Sequence, residues 1–407
     1  MNFDDTPEEA TYRKQVQDWL TANAGALDGT TNARREESVA GAKRWQKLKC
    51  DAGYVGITWP KAVGGQGGNA MQQIIFNQEE AKYDAPTGLY AIGLGMCIPT
   101  VFSHALSPDI AARYVPVAMK GEEVWCQLFS EPASGSDLAG ARTRAEKDGD
   151  EWVINGQKVW TSGAHLSDFG IVVTRTDPTL PKHKGLTMFI VDMKAPGVEV
   201  RPIKQMSGGS EFNEVFFTDV RVKDTHRLGD VNNGWNVSLT TLMHERLAVG
   251  GKPASAPGVQ EMIELAKAID FEEGNAMEQS HVRQQIAAAY INDRGIDLTR
   301  MRTISALSSG RTPGPESSIS KIVVANTMQD MGSFAADLAE SAGLLDNSGL
   351  PNLARFQGSY IGAAGLRIAG GTDEILRNII AERVLGLPGD IRPDKDVSFS
   401  EASKLAV

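Results

Sequence analysis

With 407 residues, 41% of them hydrophobic and 23% charged, the chain can bury cores for two or three domains, which excludes a disordered or fibrous class. A formal net charge of −10 argues against nonspecific nucleic-acid binding, while an anionic small molecule needs only a local pocket. The three cysteines, Cys50, Cys97 and Cys126, form no CxxC pair, and their odd number suits free, buried thiols in a reducing compartment.

The first stretch, MNFDDTPEEATYRK, is acidic and lacks an apolar h-region. No apolar run approaches the ~20 residues that a membrane span needs. The expectation is a cytoplasmic protein without membrane or nucleic-acid partners, or one already relieved of a targeting segment. The first third reads as helices. Thr6 is placed as an N-cap, Pro7 at the first helical position and Glu9 closing a capping box, with Tyr12, Val16 and Trp19 or Leu20 at helical spacing. Further helical patterns cover about 35–52, 69–84, 87–105 and 107–119. The glycine-rich GITWPKAVGGQGG between two of them reads as a loop. Its GQGGNA, Gly65 to Ala70, fits G-x-G-x-x-A, but no strand–helix–strand unit surrounds it, so a dinucleotide fingerprint is rejected.

The character changes near residue 121, where EVWCQLFS is β-branched and aromatic. Asp148-Gly149 and Asn155-Gly156 are strong hairpin signals flanking the short strand EWVI. Strand-like runs follow in FGIVVTR, LTMFIVDM, GVEVRPI and EVFFTDVRV, with the loop TDPTLPKHKG between two of them. Helical periodicity returns over about 234–272, 278–308, 316–345 and 352–386, before GLPGDIRPD and a loose tail. Grouped rather than alternating strands argue against a parallel α/β sheet. The division is a helical domain over 1–120, a β domain over 121–230, a helical bundle over 231–390 and a tail over 391–407.

Several motifs fail their context. Ser318-Ile319-Ser320-Lys321 matches S-x-x-K without the partner motifs of a serine acylase. The six histidines show no metal-ligand spacing, so no metal is expected. Three stretches stand out. CQLFSEPASGSDLAG packs small hydroxylated residues and glycines after a strand, which lets backbone N–H groups approach a ligand closely. QKVWTSG sets an aromatic beside two hydroxyls, suited to a flat heteroaromatic ring. In LRIAGGTDEI, Gly370 and Gly371 precede Thr372 as an N-cap, with Asp373 and Glu374 in the first helical turn.

In this order the stretches resemble the acyl-CoA dehydrogenase family over nearly the whole chain, through TPEEATYRKQVQDWL, GITWPKAVGGQG, FSEPASGSD, INGQKVWTSG, FNEVFFTDVRV and GGTDEILRNIIAERVLG. The resemblance implies an α+β multidomain fold: an N-terminal helical domain, a middle antiparallel β barrel-like domain and a C-terminal four-helix bundle. It implies bound FAD and α,β-dehydrogenation of an acyl-CoA thioester, with a carboxylate taking the α proton and hydride leaving the β carbon. Gln127, Phe129, Ser130, Gly135 and Ser136 would lie along flavin and acyl-CoA, Ser136 touching both. Trp160 would lie against the isoalloxazine, Thr161 and Ser162 would hydrogen-bond near N5 and O4, and Thr372 and Glu374 would meet the far end of FAD. Much of the family carries its base where this chain has Gly370, which keeps only a backbone N–H for the thioester carbonyl. A minority, including isovaleryl-CoA and long-chain dehydrogenases, carries a glutamate before an arginine on the first helix of the C-terminal domain. The sequence TLMHERLAV matches that pattern, with Glu245 as base and Arg246 shaping the pocket. Arg283-Gln284-Gln285-Ile286 and Glu340-Ser341-Ala342-Gly343-Leu344 depart from family motifs for the neighbouring subunit's FAD and for the Gln-x-x-Gly-Gly turn. The implied partners are electron-transfer flavoprotein and a second or further copies in a homodimer or homotetramer. Competing readings are a same-fold flavin oxidase or monooxygenase and a non-catalytic subunit of a hetero-oligomer.

Overall fold

The computed structural model describes residues 5–27, 35–83, 85–249, 256–308, 314–345, 348–392 and 394–405, with the side chains of 35–37, 245–249, 307–308 and 403–405 outside that description. The residues cluster into two compact units. One comprises 4–205, 209–248 and 390–407. The other comprises the described residues of 249–389 with 206–208.

The first unit begins with helix α1 (Pro7–Asn23), whose Thr6–Glu9 capping box forms as expected. Helices α2 (Arg35–Asp51) and α3 (Ala70–Glu80) follow. Val16, Leu20, Trp45, Ile57 and Phe76 make their shared core. The glycine loop before α3 carries no strand, and its Asn69 caps α3 by accepting from Gln72 N at 2.9 Å. Helices α4 (Ile98–His104) and α5 (Pro108–Met119) lead into the sheet.

The sheet strands are β1 (Trp125–Leu128), β2 (Arg144–Asp148), β3 (Glu151–Ser162), β4 (Phe169–Arg175), β5 (Leu186–Asp192), β6 (Val198–Pro202), β7 (Phe212–Lys223) and β8 (Arg227–Leu228). Their order is β6-β7-β3-β2-β4-β5-β8, with β1 joined to β4. Most pairings are antiparallel, as expected. The β1–β4 ladder and the Arg144–Arg175 contact between β2 and β4 are parallel, because long connections rather than hairpins separate those strands. Strands β4 and β5 are buried along almost their whole length, which explains their unbroken apolar sequence. Ile171, Val173, Met188 and Ile190 pack toward α4, α5 and Val237, while Val172, Phe189 and Val191 join the core on the opposite face.

Asp148-Gly149 turns the β2–β3 hairpin, whereas Asn155-Gly156 does not turn the chain. Gly156 sits at φ 150° in an irregularity of β3, where a Cβ would lie 2.6 Å from Thr143 Oγ1. Asn155 bonds Asp219 of β7 through both ends of its amide, at 2.9 and 3.0 Å. The pair therefore makes a bulge inside a long strand rather than a second hairpin.

Helix α6 (Gly234–Val249) closes this unit. It is fastened by Thr241 Oγ1 to Thr100 Oγ1 at 2.9 Å and by Thr240 Oγ1 to His104 Nε2 at 2.9 Å. The second unit holds helices α7 (Val259–Lys267), α8 (Ser280–Ser308), α9 (Ser318–Leu338), α10 (Leu353–Ile368) and α11 (Asp373–Arg383). A short hairpin at 270–275, which helical periodicity hid, separates α7 from α8. Met262, Leu265, Val282, Met331, Leu338 and Phe356 form its main core. The tail is not loose. It carries helix α12 (Phe399–Leu405) and packs within the first unit, with Phe399 N donating to Leu180 O at 2.9 Å.

Candidate active site

Strand β1 delivers a polar loop. Gln127 is half-buried on the strand and Phe129 is buried at its end. Ser130 O accepts from Val159 N of β3 at 2.9 Å, which fixes the loop's start against the neighbouring strand. Glu131 and Ser134 then exchange two backbone hydrogen bonds, at 2.8 and 3.0 Å, and Ser134 Oγ donates to Asp137 O at 2.7 Å. Gly135 and Ser136 are left exposed at the tip. Among the described residues beyond its chain neighbours, nothing lies within 4 Å of a Cβ built at Gly135, so packing does not demand a glycine there.

Beneath the loop lies a buried ion pair. Lys158 Nζ donates to Glu131 Oε1 at 2.7 Å and to Phe129 O at 3.0 Å, and Glu131 also accepts from Arg142 N and Thr143 N at 2.6 and 2.9 Å. Burial opposes ionisation of the glutamate. Lys158 and the two amides outweigh it and hold Glu131 below its ordinary range, while burial, opposed by Glu131, moves the Lys158 ammonium below its own ordinary value.

Past Lys158, β3 slips register again, and Trp160 adopts φ 59°. A bulky residue in the left-handed region is strained, and it persists only where the surroundings fix it. The turn throws the indole outward: Trp160 is 59% exposed, edge-on to Phe212 with centroids 6.1 Å apart. The register recovers at Thr161, opposite Asn213, and Ser162, opposite Phe212. Buried Asn213 donates to Thr161 O at 2.8 Å, and its Oδ1 lies 2.9 Å from His165 Nδ1. Thr161 Oγ1 is buried with no hydrogen-bond partner among the described residues. Buried hydroxyls rarely stay unpaired, so this one points to a group from outside the chain.

In the second unit, Gly370 and Gly371 have φ 64° and 90°, a double left-handed turn that ends α10. Thr372 caps α11, accepting from Ile375 N at 3.2 Å. Lys321 Nζ donates to Gly371 O at 2.8 Å. Asp373 is buried against Arg367 Nε at 2.9 Å and Asn326 Nδ2 at 3.2 Å. Glu374 is exposed, held below its ordinary range by its own backbone N–H and the Thr372 hydroxyl. Lys321 of the rejected S-x-x-K thus braces a turn, and Ser318 is a buried residue of α9. Glu245 and Arg246 stand on α6, and their side chains lie outside the described residues. Arg283 donates to Met277 O and Glu278 O, and Glu340 adopts φ 48°.

Sequence reading passed over Glu131, Lys158, Asn213 and His165. Lys158 and Asn213 had a signal, because each is a polar residue at a position whose alternation with apolar neighbours points inward. Among the described residues no group of three His, Cys, Asp or Glu side chains could hold a metal, and no helix is long and apolar enough to cross a membrane.

The exposed indole, the buried hydroxyl and the glycine-tipped loop have the chemistry to hold a flat heteroaromatic ring. The acyl-CoA dehydrogenase N-terminal, middle and C-terminal domain families match residues 6–122, 126–220 and 232–385. The chain is 36% identical to the acyl-CoA dehydrogenase IpdE1 of Mycobacterium tuberculosis over 388 residues, covering 94% of this chain and 98% of that protein. Against the acyl-CoA dehydrogenase FadE34 of the same organism it is also 36% identical, but spans only about half of that protein's length (51%). The fold is similar to the ChsE4–ChsE5 complex from Mycobacterium tuberculosis, with TM-score 0.80 and 26% identity, and to a Tcur3481–Tcur3483 steroid acyl-CoA dehydrogenase, with TM-score 0.79 and 25% identity. Each similarity covers 96% of this chain and 100% of the other. The chain belongs to the acyl-CoA dehydrogenase family, a family of flavin-dependent oxidoreductases.

Proposed function

We propose that the chain dehydrogenates an acyl-CoA thioester to the 2-enoyl-CoA, with FAD bound. The observation that carries this reading is the buried, unpartnered Thr161 hydroxyl beside the outward Trp160 indole. Gln127, Phe129, Ser130, Gly135, Ser136, Trp160, Thr161 and Ser162 are assigned to the flavin, and Thr372 and Glu374 to the rest of FAD. Bound FAD supplies the acceptor for the β hydride. Glu245 takes the α proton as general base, Arg246 tunes the local field, Ser136 contacts the acyl-CoA, and the Gly370 N–H hydrogen-bonds the thioester carbonyl as enolate character develops. Asp373 Oδ2 accepts from Arg367 and Asn326, and these contacts hold the carboxyl below its ordinary range, which makes it a weaker rival base.

For substrate we favour a bulky ring-bearing acyl chain, supported by similarity to the steroid acyl-CoA dehydrogenase. Electron-transfer flavoprotein is the assigned electron acceptor. The assembly is assigned as a homodimer or homotetramer, and similarity to the ChsE4–ChsE5 complex makes a two-chain assembly the alternative that a mass measurement distinguishes. The test is a panel of straight, branched and steroid-derived acyl-CoA esters scored by flavin bleaching under argon, followed by admission of O₂. Bleaching by a ring-bearing ester with slow reoxidation supports the proposal. Fast reoxidation makes the protein an oxidase, and a colourless protein that refuses FAD defeats the flavin assignment.

A further inference from the structure

The 131–141 loop is also held from a second side, which the flavin assignment does not use. Arg175, buried at the end of β4, donates to the carbonyls of Ala139 and Ala141, and from Nη1 to Lys182 O at 2.7 Å. Its guanidinium lies over the Phe399 ring, with Cζ 4.0 Å from the centroid. Lys182 Nζ bridges Asp137 of the loop at 3.1 Å and Asp394 of the C-terminal segment at 2.7 Å. The segment's backbone is fastened to the same β4–β5 connection: Phe399 N donates to Leu180 O at 2.9 Å, Ser400 N to Pro178 O at 3.0 Å, and Ser398 bridges Pro181.

The connection touches α6 as well. His183 packs edge-on to Trp235 with centroids 4.7 Å apart, and Thr176 Oγ1 donates to Asn232 Oδ1 at 2.7 Å, just before the helix. One surface segment therefore meets the loop bearing Ser136 and the start of the helix bearing Glu245. Arg175 is the pivot. Its three nitrogens donate to carbonyls, with no carboxylate in hydrogen-bonding contact among the described residues, and the Phe399 ring supplies the negative face that a desolvated guanidinium favours.

We infer that the C-terminal segment Asp394–Ser400 is a clasp that sets the conformation of the 131–141 loop, making Arg175, Lys182 and Phe399 positioning residues for flavin binding. The inference rests on the proposed assignment of Gly135 and Ser136 to the ligand site.

Phe399→Ala and Asp394→Asn in the full chain test it, through amide hydrogen exchange of 131–141 and FAD titration by fluorescence quenching. Loss of a partly desolvated cation–π contact corresponds to roughly fivefold to tenfold. That rise is expected in both loop exchange and FAD Kd for Phe399→Ala, with about half that fold-change for Asp394→Asn, whose ion pair to Lys182 is partly screened by solvent, and little change in the exchange of α9. Phe399→Tyr keeps the ring face and restores both values. Unchanged loop exchange in both variants overturns the clasp, whatever FAD does. Faster loop exchange with unchanged FAD Kd overturns the positioning role and places the loop away from the flavin, a failure of the functional assignment rather than of the clasp contacts. Should Phe399→Ala fail to fold, Asp394→Asn decides by the same two readings.

Discussion

Two ion pairs brace two candidate ligand-binding turns, and they differ in how wet they are. Lys158 and Glu131, under the 131–141 loop, have side-chain exposures of 0% and 5%. Arg367 and Asp373, under the Gly370–Thr372 turn, have 38% and 2%. The first pair sits where water cannot substitute for a missing partner, so its geometry is all-or-none. In the second, the guanidinium is open enough for solvent to screen it, and Lys321 stands 3.7 Å from the same carboxylate as a reserve. A buried brace fixes a platform, and a wet one tolerates adjustment.

Breaking the dry brace has the largest expected effect. Lys158→Met strands Glu131 in a buried site, and removing one partner of such a pair costs about 3–5 kcal/mol. Chemical denaturation at neutral pH reads it. The pH dependence carries the sign. In the wild type, Glu131 titrates below its ordinary value of 4.5, so its stabilisation is present above that pH and drains away as pH falls through the lower folded value. In Lys158→Met the lost counter-charge raises Glu131, so part of the deficit is recovered on acidification. A Lys158→Met variant as stable as wild type across that range shows that the pair is not a brace.

A smaller effect is expected at the platform's surface. Trp160→Ala removes an exposed ring without touching the pair. It weakens FAD binding by the order of 1 kcal/mol, about fivefold in Kd, with stability nearly unchanged. Equal FAD affinity in Trp160→Ala and wild type separates the indole from the flavin.

A third effect, of similar size but on stability rather than on FAD affinity, is expected at the wet brace. Asp373→Asn keeps shape and lets the amide oxygen accept from Asn326 and Arg367 as Oδ2 does, removing only the charge, and Arg367 keeps Gln329 at 3.0 Å. It lowers stability by about 1 kcal/mol and leaves flavin reduction within a few-fold of wild type. A loss matching that of Lys158→Met erases the distinction between the two turns.

What could be read in the sequence follows the range of the forces involved. The Thr6–Glu9 box, the Asp148-Gly149 hairpin and the Thr372 cap are local, set within four residues, and they form as read. Asn155-Gly156 has the same local signature as a hairpin and fails, because Asp219 of β7, 64 residues away, captures the Asn155 amide. Glu131 and Lys158 are 27 residues apart and meet only once the end of β1 lies beside β3, so no spacing announced their pairing, although the strand alternation placed Lys158 inward. The tail looked loose because its anchors, Arg175 and Lys182, lie in another part of the chain. The orphan state of Thr161 Oγ1 belongs to the folded molecule alone, since it depends on what every neighbour does with its own donors.

Stopped-flow flavin reduction of Glu245→Gln under argon, with one good acyl-CoA substrate, bears most directly on the proposed chemistry. The substitution keeps shape and polarity but cannot accept the α proton. FAD content and acyl-CoA binding should stay near wild type while the bleaching rate falls roughly 10²-fold or more, the scale of losing a positioned base. Bleaching at the wild-type rate would contradict the assignment and move the base to another residue.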